Sequence, residues 1–252
     1  MSKAHLTRYR QAIHGPHGFV VVCGPTGSGK TTTLYASLAE RNAPSQNLCS
    51  IEDPVEVRIP GISQVQVNTR AGVTFESSLR AFLRQDPNVI MVGEMRDVET
   101  AAVAMSAALS GQLVLTTLHS NDAPRTLERL LELGVPRHAM AAGLTAIVAQ
   151  RLVRRLCGEC RAPVQTGRGF TAPGCLRCQG TGYRGRTGIF EFVFVSDAMR
   201  DAIANGASST HIAGLAEADG YEPLAAAGMR AVQAGETTLH ELRRVLALEV
   251  GS

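Results

Sequence analysis

The sequence predicts an α/β chain: a largely parallel sheet of apolar strands interleaved with helices, then a small four-cysteine segment, then a helical C-terminal portion. Three observations predict it. The run GFVVVC at 18–23 is a short apolar strand that leads through GPTGSGKT at 24–31 into a helical pattern. Two later runs, NVIMVGE at 88–94 and LVLTTLH at 113–119, are apolar strands that end in polar groups. Strands buried on both faces read this way in parallel sheets, and active groups collect at their carboxyl ends. Finally, Cys157/Cys160 and Cys175/Cys178 form two C-x-x-C pairs separated by 14 residues.

The stretch 24–31 fits G-x-x-x-x-G-K-[ST], a loop that cradles phosphate. Glycines let the backbone fold tightly, so that several N–H groups point at one anion. The helix that follows adds the positive end of its dipole. Gly24, Pro25, Thr26, Gly27, Ser28, Gly29, Lys30, Thr31 and Thr32 are therefore the candidate nucleotide-binding residues. Lys30 would reach the β- and γ-phosphates, and the Thr31 hydroxyl would ligate Mg²⁺. Of 25 basic residues, just Lys3 and Lys30 are lysines. A chain that otherwise uses arginine keeps a compact ammonium at this interior point.

Composition bounds the rest. With 252 residues, 44 % of them hydrophobic, the chain can build a core without metals or disulfides. A net charge of +3 does not by itself argue for nucleic acid, and 4 % aromatic residues disfavour base-stacking platforms. No apolar run is long enough to span a bilayer, and no signal peptide opens the chain. Cysteines in metal-type pairs suit a reducing compartment, so the expectation is a cytoplasmic protein.

In chain order, residues 1–17 read as a polar leader with a short helix around 6–13. The helix after the loop runs from about 29 to 41, with Leu34, Ala36, Leu38 and Ala39 as its apolar face. A strand at 48–52 ends in Glu52-Asp53-Pro54-Val55-Glu56. These carboxylates form either a solvated turn or a group that organises Mg²⁺ and a water. Alternation at 63–67 suggests a half-exposed strand. Thr74 caps a helix over 75–85, which carries Arg80 and Arg84 on one face. They form either an ordinary basic surface or a pair that stabilises a transferring phosphoryl group. Glu94 closes its strand as a metal-directed acid. Arg96 follows, Asp97 caps a helix over 98–109, and Gly111 ends that helix. Thr117 and His119 stand where a γ-phosphate could be sensed. Helices are expected at 122–133 and 137–157.

Two C-x-x-C knuckles make a tetrahedral site suited to Zn²⁺, and four thiolates leave no open position, so its role is structural. Cys23 and Cys49 read as buried small hydrophobes. Arg151, Arg154, Arg155, Arg161, Arg177, Arg184 and Arg186 crowd around the pairs and read first as a solvated face, otherwise as a surface for an acidic partner, lipid headgroups or nucleic acid. The tract 165–174 is loop-like. A strand at 188–195 precedes helices that start at Ser196, at Ser209 or Thr210, at Glu222 and, through a capping box, at Thr238. The division expected is 1–17 leader, 18–150 nucleotide-binding domain, 151–187 tetracysteine subdomain and 188–252 helical subdomain.

The order of these motifs resembles the ATPases of type II secretion and type IV pilus assembly, the GspE/PilB-type family. The matching stretches are GPTGSGKTTTLYASL, IEDPVE, GISQVQVN, GVTFESSLRAFLRQDPNVIMVGEMRD, LVLTTLHSNDAPRTLERL and GYRGRTGIFE, with the four cysteines between. The resemblance implies a RecA-like ATPase assembled as a ring of six that acts on an inner-membrane platform protein at the cytoplasmic face. It implies Glu56 as the base for water, Glu94 as the Walker B acid, His119 in the His box, and Arg80, Arg84 and Arg96 near the γ-phosphate. Gln112 stands where the family often has a first histidine. The family carries an N-terminal domain ahead of the loop strand, where this chain has about 17 residues, so the expectation is a truncated form. Retraction ATPases typically lack the cysteine segment, which points to secretion or extension. The rival readings are a nucleotide-binding module of low turnover and a zinc protein that binds nucleic acid through its arginines.

Overall fold

The computed structural model describes residues 1–164 and 169–247. Its core is a seven-stranded sheet. The strands are β1 (Gly18–Cys23), β2 (Leu48–Glu52), β3 (Ile62–Gln66), β4 (Val89–Val92), β5 (Leu113–Leu118), β6 (Leu144–Leu156) and β9 (Tyr183–Phe194), in the order β3-β2-β4-β5-β1-β6-β9. The first six are mutually parallel, and β9 closes one edge antiparallel to β6. Parallel pairing sends the turns after β1, β2, β4 and β5 to a common edge, where the site lies.

Both faces of the sheet are covered. In β1, Phe19, Val21 and Cys23 enter one hydrophobic core while Val20 and Val22 enter the other. Against the Val20 side pack α1 (Lys3–His14) and α2 (Lys30–Arg41), through Tyr9, Ile13, Leu34 and Leu38. Against the Phe19 side pack α3 (Phe75–Phe82), α4 (Val98–Leu109), α5 (Ala123–Glu132) and α6 (Arg137–Gly143). The expected caps are present: Thr74 and Ser77 bond reciprocally, and Asp97 accepts Thr100 N–H. In α2 the buried stripe is Leu34, Ser37, Leu38 and Arg41, whereas Ala36 and Ala39 face outward. Two small residues predicted the wrong side because Ser37 finds a buried partner, the Tyr9 hydroxyl at 2.7 Å.

The largest correction falls at 144–156. The helix expected over 137–157 stops at Gly143, and thirteen residues continue as β6. An unbroken apolar run fits a buried helix and a buried strand equally well by periodicity. Partners decide it. Residues Leu144–Ala149 pair with β1 on one side, and Ala146–Leu156 pair with β9 on the other. Thr145, Ile147, Val148 and Val153 are β-branched and suit that pleat.

β9 begins at Tyr183 rather than at 188, and α3 ends at Phe82 rather than near 85. The C-terminal helices are α7 (Asp197–Ala204), α8 (Ser209–Ala218), α9 (Leu224–Gln233) and α10 (Leu239–Leu246). Their caps are Ser196, Ser208, Pro223 and Thr238. Met199, Ile203, Ile212, Val232 and Leu242 belong to the same core as Phe19. The boundaries drawn at 150/151 and 187/188 fall within β6 and β9. Of the loop-like tract 165–174, residues 165–168 lie outside the described residues. Its later part includes β8 (Phe170–Thr171), which pairs with β7 (Ala162–Pro163). No helix among the described residues is long and apolar enough to cross a membrane.

Candidate functional site

At the shared strand edge lies a cleft of about 270 Å³ bounded by the loop after β1, the acidic turn after β2, Glu94 and Arg96 after β4, and Thr117 and His119 at β5. Thr26, Gly27, Lys30, Thr31, Glu52, Asp53 and Glu56 line it. A larger cavity of about 1000 Å³ touches the outer face of Pro25 and helices α8–α10. Its buried carboxylate, Glu191, is already committed to the N–H groups of Ala123 and Leu224. The smaller cleft gathers Lys30, Arg96, His119 and four carboxylates.

The loop is shaped by close packing. Gly24 has φ +151° and Gly29 φ +87°. A Cβ at Gly24 would lie 2.5 Å from the Gln150 carbonyl oxygen, and one at Gly29 would lie 2.7 Å from Gln150 Nε2. Gln150 sits on β6 and braces the loop: its Nε2 donates to the Ser28 carbonyl at 2.8 Å, and its Oε1 accepts the Thr33 hydroxyl at 2.6 Å. Ser28 is buried, whereas Pro25, Thr26, Gly27 and Thr32 are exposed. Lys30 is buried, and its ammonium donates to the carbonyls of Gly24 at 2.8 Å and Pro25 at 3.0 Å. Burial holds its pKa below the ordinary lysine value.

Opposite the lysine, Glu94 is mostly buried and bonds the guanidinium of Arg96. His119 Nε2 stands 3.6 Å from the other Glu94 oxygen, and Arg96 also reaches to 4.0 Å from Asp53. The bond to Glu94 raises the Arg96 pKa. Thr117 donates its hydroxyl to the Gly93 carbonyl at 2.6 Å, which fixes the strand tip that carries Glu94. Glu56 is exposed on its turn and faces the cleft; Glu52, four residues earlier, is buried. Arg80 and Arg84 are not among the cleft residues. Arg80 pairs with Glu76 at 2.9 Å across one turn of α3, and Arg84 is exposed beyond the end of that helix.

The four cysteines converge. All four sulfurs lie within 4.8 Å of one another, with separations of 3.9 Å for Cys157–Cys175, 3.8 Å for Cys160–Cys178 and 3.7 Å for Cys175–Cys178. A tetrahedron with zinc–sulfur bonds of about 2.3 Å has edges of about 3.8 Å. The donor set therefore fits Zn²⁺. The N–H groups of Cys175 at 3.1 Å and Gly182 at 3.2 Å point at the Cys178 sulfur, which favours its thiolate form.

The arginine crowd is only partly a solvated face. Arg151 is buried and donates to the Asn121 carbonyl at 2.8 Å. Arg154 stacks on Tyr183 and pairs with Glu241 at 2.8 Å. Arg161 covers Phe170 and donates to the Gly235 carbonyl at 2.8 Å. Arg155, Arg184 and Arg186 are exposed. The capping box expected at Thr238 is half made. Thr238 accepts Glu241 N–H at 3.1 Å, while the Glu241 carboxylate turns inward to Arg154 and Arg244.

Residues 1–244 match the model of the Type II/IV secretion system protein family. The chain belongs to that family. The Type II secretion system protein HxcR of Pseudomonas aeruginosa is 49 % identical over 92 % of this chain and 49 % of its own length. The Type IV pilus assembly ATPase PilB of Myxococcus xanthus is 43 % identical over 94 % of this chain and 45 % of its own length. This member of the family thus spans about half the length of these relatives. Among solved structures, the pilus retraction motor PilT with bound ADP superposes with a TM-score of 0.75 at 28 % identity, over 94 % of this chain and 63 % of that one.

Tyr35 and Gln150 carry functional geometry that sequence reasoning passed over. Tyr35 lies four residues after Thr31, on the same face of α2. Gln150 is a lone amide in an apolar run, and that isolation was the available signal.

Proposed function

We propose that this chain binds MgATP in the cleft and hydrolyses it, as the RecA-like motor core of a type II secretion or type IV pilus assembly machine. One observation carries the reading. Lys30 and Thr31, Glu56, and Glu94 come from three separate stretches of the chain and line one cleft at the carboxyl edge of a parallel sheet.

The loop amides from Gly27 to Thr31, with the α2 dipole, bind the phosphates. The Lys30 ammonium moves from its two loop carbonyls onto phosphate oxygens. Thr31 and Glu94 would hold Mg²⁺, which neutralises charge on the phosphates when bound. Arg96 and His119, now on Glu94, are within reach of an incoming γ-phosphate. Glu56, exposed and uncommitted, takes the proton of the attacking water. Arg80 and Arg84 do not line their own cleft, and in a ring of six they serve the cleft of a neighbouring subunit. Cys157, Cys160, Cys175 and Cys178 would hold Zn²⁺, which would fix the knuckles. The chain works at the cytoplasmic face of the inner membrane through a platform partner, with no direct use of nucleic acid.

The test is nucleotide binding and phosphate release by the chain. Lys30→Ala weakens binding by about a hundredfold or more, whereas Glu94→Gln keeps binding and loses phosphate release. Variants that both match the unsubstituted chain would overturn the assignment. Tight binding without phosphate release in the unsubstituted chain would favour the nucleotide-binding module of low turnover. The placement of Arg80 and Arg84 outside the cleft is the observation that favours this second reading.

A further inference from the structure

The Tyr35 hydroxyl has its full complement of partners. It donates to a Glu52 oxygen and accepts the N–H groups of Glu56 at 3.1 Å and Val57 at 3.4 Å. Glu52 is 2 % exposed, and its second oxygen accepts the Ser50 hydroxyl at 2.5 Å and Gln64 Nε2 at 3.1 Å. Burial and the carboxylate beside it raise the Tyr35 pKa, so the phenol keeps the proton that it donates. Gln64 also holds the turn, accepting Ile59 N–H at 2.6 Å and donating to the Val57 carbonyl at 3.0 Å. Gln66 accepts Val55 N–H at 3.2 Å. The two glutamines stand on β3. Tyr35 stands on α2, the helix that opens with Lys30 and Thr31.

We propose that Tyr35 is a positioning residue for hydrolysis: its hydroxyl fastens the turn that bears Glu56 to the phosphate-binding helix, holding base and phosphate site at one spacing. The inference rests on the reading of Glu56 as the base. Within it, Glu52 is the anchor for the phenol rather than a second base, because its oxygens are buried and occupied. Motion of α2 on nucleotide binding then carries the Glu56 turn with it, since the link is a hydrogen bond to backbone and not to a free side chain.

The experiment is Tyr35→Phe, which deletes one oxygen and keeps the ring that packs against the core on the Val20 side of the sheet. Amide exchange at Glu56 and Val57 rises about tenfold or more, while exchange in the loop 24–31 is unchanged. Affinity for MgADP stays within about threefold, and affinity for MgADP–aluminium fluoride falls about tenfold or more. Where turnover is measured, kcat falls and KM holds. Unchanged exchange at residues 56 and 57, or equal losses for the two ligands, would sink the proposal. Glu56→Gln is run beside it. Wild-type phosphate release in that variant overturns the base, whereas the exchange result on Tyr35→Phe judges the anchor separately.

Discussion

Lys30 is held by the loop it serves. Its two carbonyl bonds keep an ammonium in place inside a buried site, where an unpartnered cation would be costly. Glu94 follows the same logic on the acidic side, with Arg96 and His119 as partners. Glu241 is the structural counterpart. Burial works to raise its pKa, but hydrogen bonds from Arg244 and Arg154 outweigh that and hold it down at about 2. An unfolded glutamate titrates near about 4.3. The folded value is lower, so this group stabilises the fold fully above about pH 5 and progressively less as pH falls toward 2. Glu241→Gln should cost about 2 kcal/mol at pH 7, roughly 4–8 °C in Tm. It should also flatten the acid side of the stability profile. A titration of Tm against pH checks both, and an unchanged acid limb would count against the pair.

At the scale of elements, the tetracysteine segment and β6 divide their labour. β7 and β8 are two residues each and bury little, so zinc is what would hold the knuckles. β6 instead hangs between β1 and β9 and needs no metal. Zinc analysis should give about one ion per chain. Chelation, or Cys157→Ser, should speed amide exchange across 157–182 and leave Ala146–Val153 protected. Loss of protection along β6 would mean that the metal supports the sheet as well. The legibility of these elements differed. Strands ending in Cys23, Glu52 and Leu118 were readable because a burial-driven apolar run meets turn chemistry at each end. The stretch 144–156 was not, because no local period separates a doubly buried strand from a buried helix.

For the whole molecule, the continuous core predicts cooperativity. Phe19 and Leu118 of the sheet share one cluster with Met199, Ile212 and Leu242 of the C-terminal helices. Calorimetry should therefore show a single main transition for the sheet and α7–α10 together. Two well-separated transitions would instead make the C-terminal helices an independent unit. The site was readable in outline for a related reason. Lys30, Thr31, Glu94 and His119 each end a strand or open a helix, and parallel topology brings those ends together whatever the details of packing. The partners that tune them were not readable: Arg96 on Glu94, Gln150 on Ser28, Tyr35 on Glu56. The last two join segments that no pattern in the sequence links, and the first depends on how the turn after β4 folds Arg96 back onto Glu94.

The amino-acid sequence by itself determined the glycine-rich loop, the polar strand tips, the caps at Thr74, Asp97 and Thr238 and the four-thiolate set. Each is encoded within about twenty residues, by glycine freedom, alternation of apolar runs with turn residues, and ligand spacing. Tertiary structure alone decided that 144–156 is a strand, that Glu241 turns inward, that Arg80 and Arg84 lie outside the cleft, and that Tyr35 ties the acidic turn to α2. The contacts that decide β6, Glu241 and Tyr35 come from other elements, and their geometry exists only once the sheet is assembled.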